Sequence, residues 1–242
     1  MTHPRTRPRV IVSVIATVDG RVALNRTSRL LDPSARQLWE SAWPPDVPEL
    51  LARGSAVIEK SGATVVLEGS GTFVPDAAPP LALAPVNVPP GDFLPAVGSP
   101  RWFAVVDGRG RMEWTFKGDG TTRLLVVVNK STPSGYLGFL RSSGIPYLSA
   151  SGLREMVEKF GSVLGAPSVV CEAGGGLNGA LLRAGLVDEL HVITVPALVG
   201  GLGTPSMFDG PPLGLSEAPV SLRTVDVQVG AHGSVWTHYE ID

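Results

Sequence analysis

The densest run of chemically capable residues is Val169-Val170-Cys171-Glu172-Ala173-Gly174-Gly175-Gly176-Leu177-Asn178-Gly179. An apolar run leads into three successive glycines, and a helical segment follows at once. Glycine lets a backbone approach a ligand closely. A helix N-terminus adds unpaired N–H groups and a partial positive charge, a setting that suits phosphate. Gly174, Gly176 and Gly179 satisfy the spacing G-x-G-x-x-G. A dinucleotide fingerprint also wants an acidic residue about 20 positions on, at the end of the next strand. Here that strand ends at Val195-Pro196 with no acid. The turn therefore reads as a nucleotide-phosphate site outside a standard Rossmann domain, or as a tight strand-to-helix turn that binds nothing.

Two carboxylates are placed to move a proton. Glu172 stands at the C-terminal end of a strand, where open α/β sheets gather ligands. Asp19, in Thr17-Val18-Asp19-Gly20, follows the first strand in the same way. The plainer alternatives are an Asp-Gly turn for Asp19 and, for Glu172, a carboxylate that only accepts N–H bonds from its loop. His3, His191, His232 and His238 show no ligand spacing along the chain, so no metal is expected. His191 and His238 fall in strands and read as packing or surface residues, and Asp188-Glu189 as a turn and strand start. Cys171 is the lone cysteine, which excludes an internal disulfide and a thiolate metal site and fits a reducing compartment. It reads as a buried strand filler.

These residues need a scaffold. Val10–Ile15, Ala63–Leu67, Arg101–Val106, Leu124–Val128, Ile145–Leu148, Ser168–Cys171 and Leu190–Val195 read as strands, most of them β-branched and apolar throughout, as in buried sheets. Asp32-Pro33 starts a helix that buries Leu38 and Trp39 and ends near Pro44. A second, short helix follows Asp46 and closes at Gly54. Ser151 caps a third, with Leu153, Met156, Val157, Phe160 and Leu164 on one face and Gly165 at its end. Leu177–Ala184 is a fourth, closed by Gly185. Val220–Val229 and Gly233–Ile241 form a terminal hairpin. Strands alternating with helices predict an α/β fold: a mixed, mostly parallel sheet covered on both faces, with a C-terminal antiparallel hairpin.

The 242 residues include 29 Gly and 22 Pro, with 17% charged and 43% apolar residues. This apolar content excludes disorder, and the length suits one domain, 1–242. About eight prolines between Pro75 and Pro100 make a semi-rigid insertion or lid. Arg5, Arg7 and Arg9 form a solvated arm over residues 1–9. A net charge of −2 gives no field for nucleic acid, and no apolar run reaches the roughly 18 residues of a membrane span. A soluble, cytoplasmic protein is expected.

Glu172 to Gly179, then Gly185-Leu186-Val187-Asp188-Glu189-Leu190, then Pro196 and Gly200-Gly201, resemble the C-terminal reductase domain of bacterial riboflavin-biosynthesis deaminase-reductases. Ala16–Arg21 resembles the first-strand Ser-Leu-Asp-Gly motif of that family. Ala35-Arg36 resembles its Ala-Arg pair, and Gly69-Ser70-Gly71-Thr72 with Asp76 its Gly-x-Gly-Thr and downstream Asp. The resemblance implies a dihydrofolate-reductase-like fold, a homodimer, and NADPH-dependent reduction of a 5-amino-6-(5-phosphoribosylamino)uracil-like compound. It implies that Gly174, Gly175, Gly176, Leu177, Asn178 and Gly179 hold the NADPH pyrophosphate, with Thr72 and Asp76 lining the cofactor site. It sets Glu172 and Arg36 toward the substrate and Thr17 and Asp19 near the nicotinamide, with Asp19 and Glu172 as the catalytic pair. Two positions depart from the pattern. Leu30 stands where the family places a tryptophan, and Pro80-Leu81-Ala82-Leu83-Ala84 lacks the arginine that helps bind the substrate phosphate. A guanidinium–phosphate pair is charge-assisted and often bidentate, so its absence leaves a phosphorylated and an unphosphorylated substrate both open. A pterin or folate reductase, and a non-catalytic dinucleotide-binding module, are the competing readings.

Overall fold

The computed structural model describes residues 7–95 and 101–242. Most of the expected N-terminal arm, Arg5 included, and the end of the proline-rich stretch lie outside the described residues. In chain order the elements are β1 (Arg9–Thr17), α1 (Pro33–Glu40), α2 (Val47–Lys60), β2 (Ala63–Gly69), β3 (Arg101–Val106), β4 (Thr122–Val128), α3 (Ser134–Ser142), β5 (Tyr147–Ser149), α4 (Leu153–Ser162), β6 (Ser168–Cys171), α5 (Gly175–Arg183), β7 (Glu189–Val195), β8 (Leu222–Val229) and β9 (Val235–Ile241). Strand pairing is mixed and mostly parallel, and the chain ends in the expected antiparallel hairpin. The chain divides into two compact units, one built on Thr64–Val169 and the other on Arg9–Ala63 and Val170–Asp242.

In the first unit the strands run β5-β4-β3-β2, all parallel. Leu124–Val128 is buried along its whole length, as its unbroken apolar run requires, and packs with Trp114, Tyr136, Leu140, Ile145 and Tyr147. The helix α3 was not anticipated, because glycines at 135 and 138 hide its periodicity. Their role is close approach: a Cβ on Gly135 would press on the carbonyls of Leu83 and Ala84, and one on Gly138 on the Val86 side chain. The proline-rich stretch up to residue 95 has no regular secondary structure. It is a strap laid over α3 and β5. Leu81 N–H bonds to the Gly110 carbonyl, Phe93 exchanges backbone bonds with Tyr147, and Asp92 accepts from Ser149 N–H and Lys159 Nζ.

In the second unit the order is β6-β1-β7-β9-β8, with β1 and β7 parallel from Ile11↔Glu189 to Thr17↔Val195. The loops after β1 and β7 therefore leave at the same end. Asp32 caps α1 by accepting from Ser34 N–H, and Pro33 sits in the first turn, as expected. Its buried side is narrower than predicted: Trp39 is 5% exposed but Leu38 is 61% exposed. The helix α2 does not close at Gly54 but runs on to Lys60. Gly54 is a contact point there, since a Cβ would stand 3.0 Å from Trp236 Nε1. Val47 and Leu50 of this helix join Trp236, Ile193 and Val195 in one apolar cluster. The helix α5 starts at Gly175, earlier than the expected Leu177.

Overpacking a tight core contact costs typically about 1–3 kcal/mol. Gly54→Val should therefore lower stability by about that amount in urea unfolding, whereas Gly152→Ala, where a Cβ meets open space, should change it by less.

Candidate active site

At the end of β1, Thr17 is buried and its hydroxyl donates to Asp19 Oδ1 at 2.6 Å. Thr17 thus holds Asp19. Asp19 also accepts from Val199 N–H (3.3 Å) and Gly200 N–H (2.7 Å) in the loop after β7. Gly200 has φ +68°, a left-handed turn that favours glycine. These bonds, that from Thr17 foremost, lower the Asp19 pKa to about 2. These bonds favour the ionised form of Asp19, in which it acts as an acceptor. Arg21 lies 3.6 Å from its Oδ2 and donates to the Thr204 carbonyl at 2.7 Å, extending the same lacing.

The loop after β7 continues to the start of α5. Gly20 accepts from Met207 N–H (3.1 Å), and Gly175 accepts from Asp209 N–H (2.8 Å). The Asn178 amide donates to the Ala173 and Met207 carbonyls at 2.9 and 3.2 Å, and its Oδ1 takes the Cys171 thiol at 3.2 Å. Asn178 is fully buried, so its side chain is committed within the protein. A Cβ on Gly175 would collide with the Ser206 carbonyl and one on Gly179 with that of Asp209. Gly174 and Gly176 differ: both are exposed, with open space where a Cβ would stand. The glycine turn thus has one side that packs under residues 206–209 and one open side at the helix N-terminus. Leu177 is half-buried between them.

Glu172 stands next to that open side. Its side chain keeps contact with solvent, yet crowding by protein atoms desolvates the carboxyl and raises its pKa. Among the described residues it accepts no loop N–H bond, so the loop-shaping alternative has no support. Arg36 is exposed on α1 and donates from Nε to the Leu30 carbonyl at 3.0 Å. An aromatic-walled cavity of about 270 Å³ lies in this unit between Thr17, Trp39, Trp43, Val195 and Val199. Sequence spacing gave no sign of it, because its walls come from the end of β1, from α1, from β7 and from the loops that follow them.

Thr72 and Asp76 belong to the other unit. Thr72 donates to Glu68 Oε2 at 2.8 Å, and the Asp76 carbonyl accepts from Arg109 at 2.7 Å. Arg111, absent from the sequence reading, is buried in the same unit. It donates to Ser70 Oγ (2.6 Å) and the Pro75 carbonyl (2.9 Å), and lies 3.8 Å from Asp107. Asp107 in turn accepts from the Tyr136 hydroxyl at 2.9 Å, which burial and this carboxylate hold protonated. The two arginines fix the 70–78 turn through its carbonyls. Their signal in the sequence, Arg109-Gly110-Arg111 after a strand, resembles any charged turn.

Residues 8–235 match the family described as the RibD C-terminal domain. Among solved structures, the chain resembles Acinetobacter baumannii RibD with a TM-score of 0.63 at 20% identity, over 98% of this chain and 58% of that one. This chain thus spans less than two thirds of that protein. It also resembles a pyrimidine reductase-like protein of Corynebacterium diphtheriae (TM-score 0.62, 12% identity, 97% and 92% of the two chains). A third resemblance is to the riboflavin biosynthesis reductase of Saccharomyces cerevisiae (0.55, 15%, 100% and 93%). No match was found among curated proteins. No helix among the described residues is long and apolar enough to cross a membrane. With the family's match running over nearly the whole chain, and a reductase-type fold of mixed sheet and terminal hairpin beneath it, the protein belongs to the RibD C-terminal domain family.

Proposed function

We propose that the chain is an NADPH-dependent reductase of the pyrimidine-reductase type, acting on a ribosylaminopyrimidine-like or related small molecule. The observation that carries this reading is the open side of the glycine turn. Gly174 and Gly176 leave room at the N-terminus of α5 beside a carboxyl that is raised in pKa. The helix N-terminus suits a pyrophosphate, and when bound the nicotinamide would supply the hydride. The protein's part is placement and a proton. Glu172 is the donor, because its raised pKa keeps more of it protonated near neutrality. Asp19 remains ionised and holds the loop after β7 in position. The cavity walled by Trp39 and Trp43 has room for one planar ring. The cytoplasm is the expected compartment.

A homodimer also belongs to this reading. Among the described residues the edge strand β8 pairs only with β9 and is exposed on nearly all its length, with Val227 at 50% and Val229 at 74%. Such an edge invites a second copy. Sedimentation equilibrium should give twice the chain mass, and Val227→Lys with Val229→Lys should halve it.

The glycine turn makes a graded test. Gly179→Ala should destabilise the fold by about 1–3 kcal/mol through its collision with Asp209. Gly176→Ala should leave the thermal midpoint unchanged or raised, since alanine favours helix, yet weaken NADPH binding measured by quenching of tryptophan fluorescence. Equal NADPH affinity in Gly176→Ala and the parent chain would remove the cradle. For the proton, Glu172→Gln should lower kcat by about 10²–10⁴-fold. In the parent enzyme kcat/KM should fall as pH rises through the raised Glu172 pKa, with no limb from Asp19 above about pH 4, since its pKa lies near 2.

A further inference from the structure

Away from the glycine turn, β7 and β9 bring together three residues that the chain order keeps apart. Glu189 and His191 are two positions apart on β7 and so share one face. His238 on β9 is the cross-strand partner of His191. All three are buried, at 4%, 2% and 8% exposure. The imidazoles stack with centroids 4.2 Å apart. His238 Nε2 lies 3.2 Å from Glu189 Oε2, and His191 Nε2 lies 3.6 Å from the same oxygen.

The hydrogen bonds do not close this cluster. At 3.6 Å the His191 contact is too long for a hydrogen bond, and both ring nitrogens of His191 are buried without a partner. A buried ring nitrogen left without a partner is costly. A cation on Nε2 would give that nitrogen a partner.

We propose that Glu189 Oε2, His191 Nε2 and His238 Nε2 form a binding site for a first-row divalent cation of the zinc class. Two imidazoles and one carboxylate are a ligand set zinc takes, with a fourth position left to a small ligand such as water. Zinc–ligand distances of about 2.0–2.1 Å set tetrahedral ligand atoms about 3.3–3.4 Å apart. The 3.2 and 3.6 Å separations bracket that spacing, and one ligand atom from each of the three residues lies within 4.8 Å of the others. Calcium and magnesium prefer all-oxygen shells and are excluded by the imidazoles.

The surroundings suit the role. Arg9 pairs with the other carboxylate oxygen, Oε1, at 2.6 Å, which leaves Oε2 turned to the histidines. Ligating carboxylates are commonly held in this way by an outer partner. Glu240 lies 4.0 Å from Arg9 and offsets its charge, while also pairing with Arg223. Trp236 closes the apolar side, its ring 5.6 Å from that of His191. An ion here would cross-link the terminal hairpin to β7.

The test is titration of tag-free, chelator-treated protein with Co²⁺, whose visible d–d absorption reports its coordination. One equivalent per chain should bind, with the intense bands of a low-coordinate nitrogen–oxygen site, and Zn²⁺ should displace it. His191→Gln and His238→Gln should each weaken binding by at least about 100-fold, the upper end of what even outer-partner changes cost. X-ray absorption of cobalt-loaded parent protein needs no variant and should count two imidazoles. Failure to saturate at one equivalent, binding unchanged in both variants, or a shell without two imidazoles would each overturn the proposal.

Discussion

One ionised carboxylate organises the candidate site. Asp19 takes a hydroxyl from its own strand end and two backbone N–H groups from the loop after β7, so two parallel strands are joined just past their ends. Charge-assisted bonds of this kind are roughly twice as strong as neutral ones. The constraint propagates along residues 197–209. That loop is tied again at Arg21 and Gly20, then lies on α5 where Gly175 and Gly179 make room for it. The open side of the glycine turn is therefore shaped by a carboxylate that need not touch a ligand.

This separates two kinds of acidic residue that look alike in sequence. Asp19 and Glu172 both follow strands in the same unit. Bonds lower the pKa of one and desolvation raises that of the other. Opposed shifts in two carboxyls are a common way to divide acid–base roles. In the proposed reading, the fixed anion orients and the desolvated acid exchanges the proton.

The local chemistry of the fold was legible where a residue's role depends on near neighbours. Asp32-Pro33 starts α1, Gly185 closes α5, and the unbroken run Leu124–Val128 is a buried strand. The glycine turn was legible as a motif but not in its division. Which glycines face open space depends on residues 206–209, and no spacing rule reaches them. The continuation of α2 past Gly54 was hidden for the same reason, since Trp236 is far along the chain. The strand histidines show the limit most clearly. Ligand spacing counts along one segment, whereas His191 meets His238 through antiparallel register. Arg109 and Arg111 act on carbonyls more than thirty positions away.

The packing of α5 under residues 206–209 also bears on how the molecule is made. Asn178 bonds to Met207 across 29 positions, and Asp209 returns to Gly175. Closing a loop of that length carries an entropic cost that must be met before its contacts reward it. During synthesis the glycine turn thus emerges well before the segment that completes it, and before β7, which carries that segment to its place. A nascent chain halted short of residue 209 would carry the whole motif without its shape, so the site matures late, after its most recognisable residues are already outside the ribosome.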